Sequence, residues 1–482
     1  MPTKKTAIYR TDLLPHRMNA GKEVQVRRLL LAWRKVAVAQ SAEQWRLIFT
    51  SGHPSKRHDV SRTGYEVLGT SYGQMIRWQV VGQIESWLSN RVNDFRILVN
   101  GSSLTPEVKH QLYFINRWQA WYDPRPLAMK DGSEIPTAIR KLARTIFRHM
   151  FHRHHKPDLS KASMIVDQRC IKVAPASRAS AFPLWARLST LEKGKRINIP
   201  LTTYEHFESR QGIRSLSVQV VEREGSLAFG VMTDVSASFE ASKAAYRPKT
   251  EAVALDLGLK TLFATDQGDL LGQGWLGRLQ EYDRKITRLA TYRQQHGLKV
   301  RSERYKRYVA TLRGYVRSEI GRILNRLVET RAPAEIVVER LNFRNPNLSK
   351  RLNRILSKFG KNEVARKLKD LTERFGIEIT EVNPAYSSQE DSSCGYVDKR
   401  NRPRQEAFCC RWCGAQRHAD VNAARNLLAR RSRGKTDSRQ PKQAILAELV
   451  RQFNESHTRL KGGATDPRLK NPYFKDWKPK VT

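Results

Sequence analysis

Two short apolar segments of this sequence each carry one acidic residue, and they constrain the fold more than any other feature. Asp256 lies inside the run VALDLG, and Glu339 follows the apolar residues of IVVERLN. Both runs are rich in β-branched and aliphatic residues, which is typical of buried strands. A carboxylate within or at the end of a buried strand is costly unless something satisfies it. The two acids therefore indicate a functional site.

A third acid, Asp420, precedes the helical pattern VNAARNLL. Carboxylates that converge at strand ends make an oxygen cage for Mg²⁺. Two Mg²⁺ ions about 3.5 to 4 Å apart would activate a water and stabilise the leaving oxygen in phosphodiester hydrolysis. Taken singly, Asp420 is equally well explained as a helix N-cap, and Glu339 as a surface ion pair with Arg340. The joint occurrence of the three acids favours a nuclease.

The charge of the chain points to a polyanionic partner. With 88 Lys and Arg against 46 Asp and Glu, the 482 residues carry a formal net charge of +42, which excludes a small enzyme with an acidic surface. Such an excess destabilises a compact chain by self-repulsion unless a polyanion neutralises it, and nucleic acid is the usual polyanion. Because 39% of the residues are hydrophobic and 9% aromatic, we expect folded domains and not a disordered basic tail.

The cysteines and the chain's start bear on the compartment. No run of about 18 apolar residues occurs, and the segment MPTKKTAIYRTDLL lacks the apolar core of a signal peptide, so we expect a cytosolic protein. Cys170 stands alone, whereas the other cysteines are close together in sequence: Cys394, Cys409, Cys410 and Cys413. In a reducing compartment that clustering indicates a metal site and not disulfides.

The first half of the chain changes pattern once. Residues 19–155 have helical spacing and contain a cluster of tryptophans: Trp33, Trp45, Trp78, Trp87, Trp118 and Trp121. We expect these tryptophans mainly in a helical core, with some free to stack on bases or sugars. Residues 156–245 consist of short runs rich in Val, Ile and Ser, with a hairpin signal around Arg223 and Gly225. They predict a small antiparallel β-barrel or sandwich.

The second half alternates strands and helices. Residues 251–272 predict a strand meander, and 276–330 predict two long helices broken at His296 and Gly297. A strand, a basic helix over 349–375 and another strand follow, an alternation typical of a mixed α/β domain. Residues 431–482 are basic and interrupted by Gly and Pro, which predicts a tail that is partly ordered at best.

Four segments in order carry a family resemblance: AVALDLGLKTL at 252–262, IVVERLN at 336–342, VNPAYSSQ at 382–389 and HADVNAARNLL at 418–428. They resemble the motifs of the RuvC-like nuclease of transposon TnpB proteins and of the compact type V CRISPR effectors. The resemblance implies an RNase H-like fold in which Asp256, Glu339 and Asp420 are the catalytic acids and bind two Mg²⁺ ions. All three acids are present in this chain.

The same family places a zinc ribbon before the third acid, with a C-x-x-C pair on each side. In this chain Cys410 and Cys413 form the second pair, but Asp391 stands where the first pair would have its cysteine before Cys394. The resemblance therefore implies a Zn²⁺ site made by the three cysteines, with Asp391 or a water as the fourth ligand. Cys409 is a weaker candidate because its neighbour Cys410 already has the correct spacing to Cys413. A ribbon that folds without metal is the alternative.

The resulting fold class is multidomain α+β. Its expected parts are a wedge-type β-barrel (1–18 and 156–245), a helical recognition lobe (19–155), a split RuvC-like (RNase H-like) α/β nuclease domain (246–386 and 417–430) with a helical insertion (276–330), a zinc-ribbon-like target-strand-loading insert (387–416) and a basic C-terminal tail (431–482).

Proteins that look like this pair a guide RNA with one DNA strand, read a short flanking duplex motif and cut DNA at the RuvC site. We expect a prokaryotic cytoplasmic protein, bound to one RNA as a monomer or homodimer. We favour a miniature type V CRISPR effector over a transposon-encoded TnpB because the lobe over 19–155 is large. An RNA-guided repressor that does not cut and an unguided RNase H-fold resolvase are the alternatives. Candidate nucleic-acid contacts are basic residues near the site: Arg351, Arg354, Lys358, Lys361 and Arg417.

Overall fold

The computed structural model describes residues 7–57, 62–176, 180–223, 225–339, 348–433, 440–458 and 465–475. The chain divides into two units, Met1–Ser238 and Phe239–Thr482. None of the helices in the described ranges has the length and hydropathy that a bilayer-spanning segment requires.

Most helices of the first unit lie within the lobe predicted over 19–155. They are α1 (Ala20–Ser51), α2 (Tyr65–Asn100), α3 (Pro106–Arg117) and α4 (Thr137–Arg153). The first helix begins where the Asn19 side chain accepts a hydrogen bond from the Lys22 N–H, at 3.0 Å. Along it Val26, Leu29 and Trp33 recur at helical spacing and are fully buried. This apolar stripe makes α1 a core helix of the lobe.

The structure separates the predicted tryptophan cluster into two groups. The members that belong to the helical core are Trp33, Trp45, Trp87 and Trp121. Trp45 packs edge-on against Trp87, with 5.2 Å between ring centroids. Trp78 and Trp118, by contrast, are 50% and 62% exposed. Core packing therefore accounts for four of these tryptophans, and two are open to solvent.

Two antiparallel sheets make up the rest of the first unit. The strands are β1 (Tyr9–Leu14), β2 (Met164–Val166), β3 (Ile171–Pro175), β4 (Leu184–Ser189), β5 (Arg196–Leu201), β6 (Ile213–Arg223) and β7 (Ser226–Asp234), with the short helix α5 (Glu205–Glu208) between β5 and β6. One sheet has the order β1-β7-β6-β2, and the other has the order β3-β4-β5. The predicted hairpin is present, because β6 and β7 pair with Arg223 opposite Ser226. Glu224 of the turn lies outside the described residues.

Residues 1–18 and 156–245 were predicted to form a wedge-type β-barrel, or a sandwich, and no closed barrel is found among the described residues. Between β2 and β3 the chain turns sharply, with the Cys170 N–H donating to the Asp167 carbonyl at 3.0 Å. The turn ends the pairing of β2 with β6, and β3 beyond it pairs with β4 in the other sheet. The two sheets are linked by a single β-bridge between His16 and Leu201. The arrangement is a pair of sheets joined at one edge.

A five-stranded mixed sheet lies at the centre of the second unit. Its strands are β8 (Thr250–Leu257), β9 (Phe263–Thr265), β10 (Leu270–Leu271), β11 (Pro333–Glu339) and β12 (Glu378–Val382), in the order β10-β9-β8-β11-β12. Strands β8, β11 and β12 are parallel, and β9 and β10 form an antiparallel extension. This is the mixed α/β arrangement predicted from the alternation of strands and helices.

Helices pack on both faces of this sheet. From Ser236 onward the α-helices are α6 (Ser236–Ala245), α7 (Trp275–Gln295), α8 (Glu303–Arg331), α9 (Lys350–Arg354), α10 (Lys361–Phe375), α11 (Ala419–Ala429) and α12 (Lys442–Ser456), with a π-helical turn (Ile355–Gly360) between α9 and α10. On one face Leu255 and Val338 pack with residues of α8 and α10. On the other, Ala254 and Val337 pack with Leu427 of α11. The alternation of side chains along each strand therefore separates two cores.

The predicted tail differs from expectation because it contributes to a third core. The insert over 387–416, together with the hairpin of β13 (Ala407–Cys409) and β14 (Gln416–His418), packs against α12 and against residues 465–475. Tyr396 stacks on Phe474 at 5.4 Å, and Trp412 meets Phe453 edge-on at 5.0 Å. In α12 the buried residues Ile445, Leu449 and Phe453 recur every fourth position. The basic composition of this region conceals that apolar stripe.

Phe453→Ala is expected to loosen the insert, because removing a buried aromatic side chain typically costs about 3–5 kcal/mol. Hydrogen–deuterium exchange of residues 387–416, measured by mass spectrometry, should rise in this variant. Lys442→Ala, on the exposed side of the same helix, is the matched control and should leave the exchange unchanged. Unaltered exchange in Phe453→Ala would show that α12 does not hold the insert.

Candidate active site and metal centre

Asp256 and Glu339 lie at the carboxyl ends of two neighbouring parallel strands. The register of β8 and β11 runs to Val338 opposite Leu255. Continued by one residue, it places Glu339 beside Asp256. The apolar, β-branched character of both segments puts them at the centre of the sheet, and the register then fixes the two carboxylates as neighbours.

The two acids point to the face of the sheet that α11 covers. Side chains alternate along a strand, so Asp256 shares a face with Ala254, and Glu339 shares a face with Val337. Those two apolar residues contact Leu427 of α11. The helix that begins near Asp420 is therefore packed on the face to which the strand carboxylates point.

Asp420 completes the group from the first turn of α11. The N-cap of that helix is His418, whose Nδ1 accepts from the Asp420 N–H at 3.3 Å, so Asp420 is not the cap. Its carboxylate points to the end of β8, because Oδ2 lies 3.7 Å from where a Cβ on Gly258 would stand. The structure thus brings all three predicted acids together. Arg340, the alternative partner of Glu339, lies outside the described residues.

The electrostatics of the three acids are unfavourable without a cation. Burial raises the pKa of Asp256 well above its usual value, and the carboxylates of Glu339 and Asp420 raise it further. Burial, with a smaller contribution from Asp420, raises the pKa of Glu339 to about 7. Desolvated carboxylates that repel one another are characteristic of sites that hold divalent cations through oxygen ligands. This arrangement fits Mg²⁺.

No motif in the sequence singles out Arg402, yet it touches the site. Its Nη2 donates to Asp420 Oδ1 at 2.8 Å, and its Nε donates to the Gln405 carbonyl at 3.0 Å. The guanidinium also lowers the pKa of Asp256, against the larger raising effect of burial. Arg402 belongs to the insert and lies 18 residues before Asp420, within a basic run whose members look alike in the sequence. It links the insert to the third acid.

The insert contains two turns with the same hydrogen-bond pattern, one beginning at Asp391 and the other at Cys410. In each, the N–H of the fifth residue donates to the carbonyl of the first, at 2.9 Å for Gly395 and 3.0 Å for Gly414. The N–H of the third residue donates to the side chain of the first, at 2.7 Å to Asp391 Oδ1 and 3.4 Å to Cys410 Sγ. Both glycines adopt positive φ, +76° and +75°, which other residues rarely do. Asp391 therefore occupies in its turn the position that Cys410 occupies in the other.

The two turns bring four ligand atoms together. Those of Asp391, Cys394, Cys410 and Cys413 all lie within 4.8 Å of one another. The Cys394 and Cys410 sulfurs are 3.6 Å apart, and Cys413 Sγ is 3.9 Å from Asp391 Oδ2. Tetrahedral zinc with sulfur bonds of about 2.3 Å separates its ligands by about 3.8 Å. The donor set therefore fits Zn²⁺. Cys409, at the end of β13, is not a member of the group.

The charges around the cluster act in two directions. The hydrogen bond between Cys394 and Cys410 lowers the pKa of Cys410 and raises the pKa of Cys394, because the thiol of one stabilises the thiolate of the other. Thiolate is the form that binds metal. Asp391 is fully buried, and its Oδ2 lies 3.6 Å from Arg417 Nη2. The guanidinium compensates the negative charge of this carboxylate. It would also compete with a metal ion for the carboxylate oxygen.

The predicted nucleic-acid contacts fall into two groups. Arg417 donates to the hydroxyls of Ser392 and Ser393, at 2.7 and 3.0 Å, and so belongs to the ribbon. Arg351 donates to Asp283 Oδ1 at 3.0 Å and joins α9 to α7. The others are exposed, and their contact with nucleic acid stays a prediction: Arg354, Lys358 and Lys361.

One family model and two curated proteins that match this chain belong to related groups of nucleases. A family model described as "Cas12f1-like, TNB domain" matches residues 362–427. Over 75 residues the chain is 39% identical to the CRISPR-associated endodeoxyribonuclease Cas12f1 of Sulfoacidibacillus thermotolerans, covering 16% of this chain and 18% of that protein. Over 261 residues it is 25% identical to the "Putative RNA-guided DNA endonuclease InsQ" of Escherichia coli (strain K12), covering 49% of this chain and 62% of that protein.

Among solved structures, the cryo-EM structure of the Cas12f1–sgRNA–target DNA complex matches with a TM-score of 0.41 and 13% identity, covering 87% of this chain and 98% of that chain. The aligned regions span less than two thirds of the length of each of the two curated relatives. The similarity is to compact type V CRISPR nucleases and to TnpB-type proteins, which confirms the resemblance predicted from the four ordered motifs.

Glu339→Gln is expected to stabilise the fold at neutral pH. The pKa of Glu339 is about 7 in the fold against 4.5 for an unperturbed glutamate, so the folded state holds more protons between these values. Stability of the parent should therefore fall as pH rises from about 4.5 to 7. Glutamine cannot ionise, so its advantage should grow across that window to on the order of 2–3 kcal/mol and stay constant above it.

Thermal unfolding in EDTA across that range measures this difference. The exposed Glu192→Gln variant is the control and should follow the parent at every pH. A Glu339→Gln advantage that does not change with pH would contradict a buried, ionisable carboxylate at this position.

Purified protein never exposed to chelator is expected to contain close to one zinc per chain. Asp391→Cys should retain the metal longer against a chelator because thiolate binds Zn²⁺ more tightly than carboxylate does. Cys394→Ser should lose it, and Cys409→Ser, outside the ligand group, is the matched control. Less than about 0.2 zinc per chain by elemental analysis would mean that the ribbon folds without metal.

Proposed function

We propose that this protein is an RNA-guided DNA endonuclease that pairs a guide RNA with target DNA and hydrolyses DNA at a single site. The observation that carries the proposal is the meeting of Asp256, Glu339 and Asp420 at the carboxyl ends of two parallel strands, in a chain of net charge +42. The similar proteins are named as an endodeoxyribonuclease and a putative RNA-guided DNA endonuclease, which supports this substrate and this guide.

Asp256, Glu339 and Asp420 would hold two Mg²⁺ ions through their carboxylate oxygens. When bound, the ions supply an activated water and stabilise the charge that develops on the leaving oxygen. The strand register fixes Asp256 and Glu339, so their carboxylates stay on one face of the sheet, at the carboxyl ends of β8 and β11. Arg402 holds Asp420 by the 2.8 Å hydrogen bond and thereby orients the third carboxylate. The carboxylates would thus fix the positions of the ions and supply the negative charge that binds them.

The domain assignments extend this proposal. Residues 246–386 and 417–430 would form the split RuvC-like, RNase H-like nuclease domain, with the helices over 276–330 as its insertion. Residues 387–416 would be a zinc ribbon that loads the target strand. Its hairpin leads directly into α11, and its Arg402 contacts Asp420, which supports a coupling between the ribbon and the nuclease site. Residues 19–155 would be the recognition lobe, with the sheets of 1–18 and 156–245 as the wedge region.

The partners would be a guide RNA and double-stranded DNA with a short flanking motif, bound by a monomer or homodimer. The net charge supports such partners, because guide RNA and heteroduplex bring many phosphates. An RNA-guided repressor fits less well, since all three acids are present and converge. An unguided resolvase fits less well because it leaves the long basic lobe without a role.

Two members of this class are candidates. The size of the lobe over 19–155 favours a miniature type V CRISPR effector. A transposon-encoded TnpB nuclease is the second candidate, because the similarity to InsQ extends over 261 residues whereas that to Cas12f1 extends over 75. Sequencing the RNA that copurifies with the protein separates them, since it derives from a repeat array in the first case and from a transposon end in the second.

Asp256→Ala, Glu339→Ala and Asp420→Ala are each expected to abolish cleavage while leaving guided DNA binding nearly intact, since the acids hold metal and not the duplex. The loss should exceed the roughly 100-fold that follows removal of an outer-shell partner of a metal site. Plasmid cleavage with Mg²⁺ and gel-shift binding, both with the copurified RNA as guide, measure the two effects. Glu381→Gln, on the exposed edge strand, is the matched control. Substantial Mg²⁺-dependent cutting by Asp256→Ala would overturn the site.

A further inference from the structure

A cleft of about 610 Å³ opens in the first unit between α2 and the segment that joins α4 to β2. Its lining includes Trp78, Gln83 and Asn90 from α2 and Lys156 from the joining segment. Its volume lies in the range of pockets that enclose one small ligand. An aromatic ring, amides and a cation thus face one concave space.

The tryptophan of this cleft is held in place but left half exposed. The guanidinium carbon of Arg169 lies 5.7 Å from the centre of the Trp78 ring. Arg169 is itself fixed by Asp167 at 2.7 Å and Gln74 at 2.8 Å. Because Arg169 does not line the cleft, it covers a different part of the ring from the part that the cleft exposes. A fixed, half-exposed indole is a ready stacking surface.

Three polar side chains of the cleft are free to bind a ligand. Gln79 is engaged, since its amide donates to the Ser163 carbonyl at 2.6 Å and accepts from the Ile165 N–H at 3.3 Å. Further along the same side of α2 are three polar residues whose side chains have no hydrogen-bond partner in the described part of the chain: Gln83, Ser86 and Asn90. Side-chain amides pair with the donor and acceptor groups on the edges of bases.

The cleft carries a net positive charge. The Lys156 ammonium lies 4.0 Å from the centre of the Phe151 ring, and no carboxylate of the described residues is within ion-pair distance of it. Two acids on α2 are already paired, Glu85 with Lys56 at 2.9 Å and Asp94 with Arg91 at 2.7 Å. A phosphate would therefore find an uncompensated cation beside the ring.

We propose that this cleft binds one unpaired nucleotide, with its base stacked on Trp78, its base edge hydrogen-bonded by Gln83 or Asn90 and its phosphate beside Lys156. The ligand is unpaired because a base within a duplex already has both faces stacked. RNA and DNA both offer a base and a phosphate, so a nucleotide of either could be the ligand. The inference rests on the proposed function in so far as that function makes nucleic acid the partner, but it does not depend on cleavage.

Photo-crosslinking tests the proposal on the full-length chain. Single-stranded RNA and DNA oligonucleotides carrying 5-iodouracil are irradiated with the protein at about 0.3 M salt, which suppresses contacts made by phosphate alone. The adducts are then mapped by mass spectrometry. We expect the main adduct on Trp78, and about a tenfold weaker affinity for the single strand in Trp78→Ala, the loss of one stacked base.

Gly82 supplies the matched pair of variants. It lines the cleft, and a Cβ built there meets nothing within 4 Å, so a side chain can start from this position without a clash at Cβ. Gly82→Leu should fill the cleft and remove the Trp78 adduct, whereas Gly82→Ala should retain it. Both substitutions favour the helix, so misfolding does not explain a loss.

The outcomes separate cleanly. A Trp78 adduct with RNA alone, DNA alone or both supports the proposal and identifies the source of the nucleotide. An adduct that persists in Gly82→Leu, adducts confined to other sites, or equal single-strand affinity in Trp78→Ala and the parent overturns it. Because crosslinking needs no Mg²⁺ and no cutting, a protein that fails to cleave DNA can still pass this test, and an active nuclease can fail it.

Discussion

Like-charge repulsion between desolvated carboxylates is the constraint on which the second unit depends. Parallel pairing of β8 and β11 places Asp256 and Glu339 next to each other, and the packing of α11 adds Asp420. The apolar core that positions these acids also removes the water that would screen them, which raises the pKa values of the two strand acids. Such a cluster is unfavourable alone and would become favourable with divalent cations, so the arrangement fits a site that metal would complete.

The insert is connected to this cluster by charge as well as by sequence. Arg402 reaches from the insert to Asp420, and its guanidinium lowers the pKa of Asp256. The insert is in turn held by the core that includes Tyr396, Trp412 and Phe453. Movement of the insert would therefore change the electrostatics of the acid cluster. The attraction between a guanidinium and a nearby carboxylate changes with displacements of about an ångström, because the Coulomb energy varies with distance.

Much of the second unit follows from sequence pattern because its strands are short, apolar and β-branched, and because one acid marks each key position. The convergence of Asp256, Glu339 and Asp420 could be anticipated on that basis. The role of Arg402 could not, since a single arginine in a basic run has no local signature and its partner is chosen by tertiary packing. The β-barrel or sandwich was expected from strand-like composition, which does not encode the turn at Asp167 that separates the sheets. Composition also concealed α12, because its apolar stripe shows only at helical spacing within a basic tail.

Asp391 stands in its turn where a cysteine stands in the matching turn, and the geometry of the turn is preserved. Its turn keeps the backbone hydrogen bonds of the turn at Cys410, with a carboxylate oxygen accepting the N–H that a sulfur accepts there. A carboxylate and a thiolate both carry one negative charge, so the formal charge of the metal-bound cluster is the same with either ligand. A bound zinc would be held with a different affinity, since oxygen holds zinc less tightly than sulfur does and the Arg417 guanidinium lies 3.6 Å from the same oxygen. The aromatic core that includes residues of α12 and of 465–475 packs on the insert through apolar contacts that no metal ligand provides. Such packing would let the insert tolerate a weaker fourth ligand, because its fold would not depend on a metal alone.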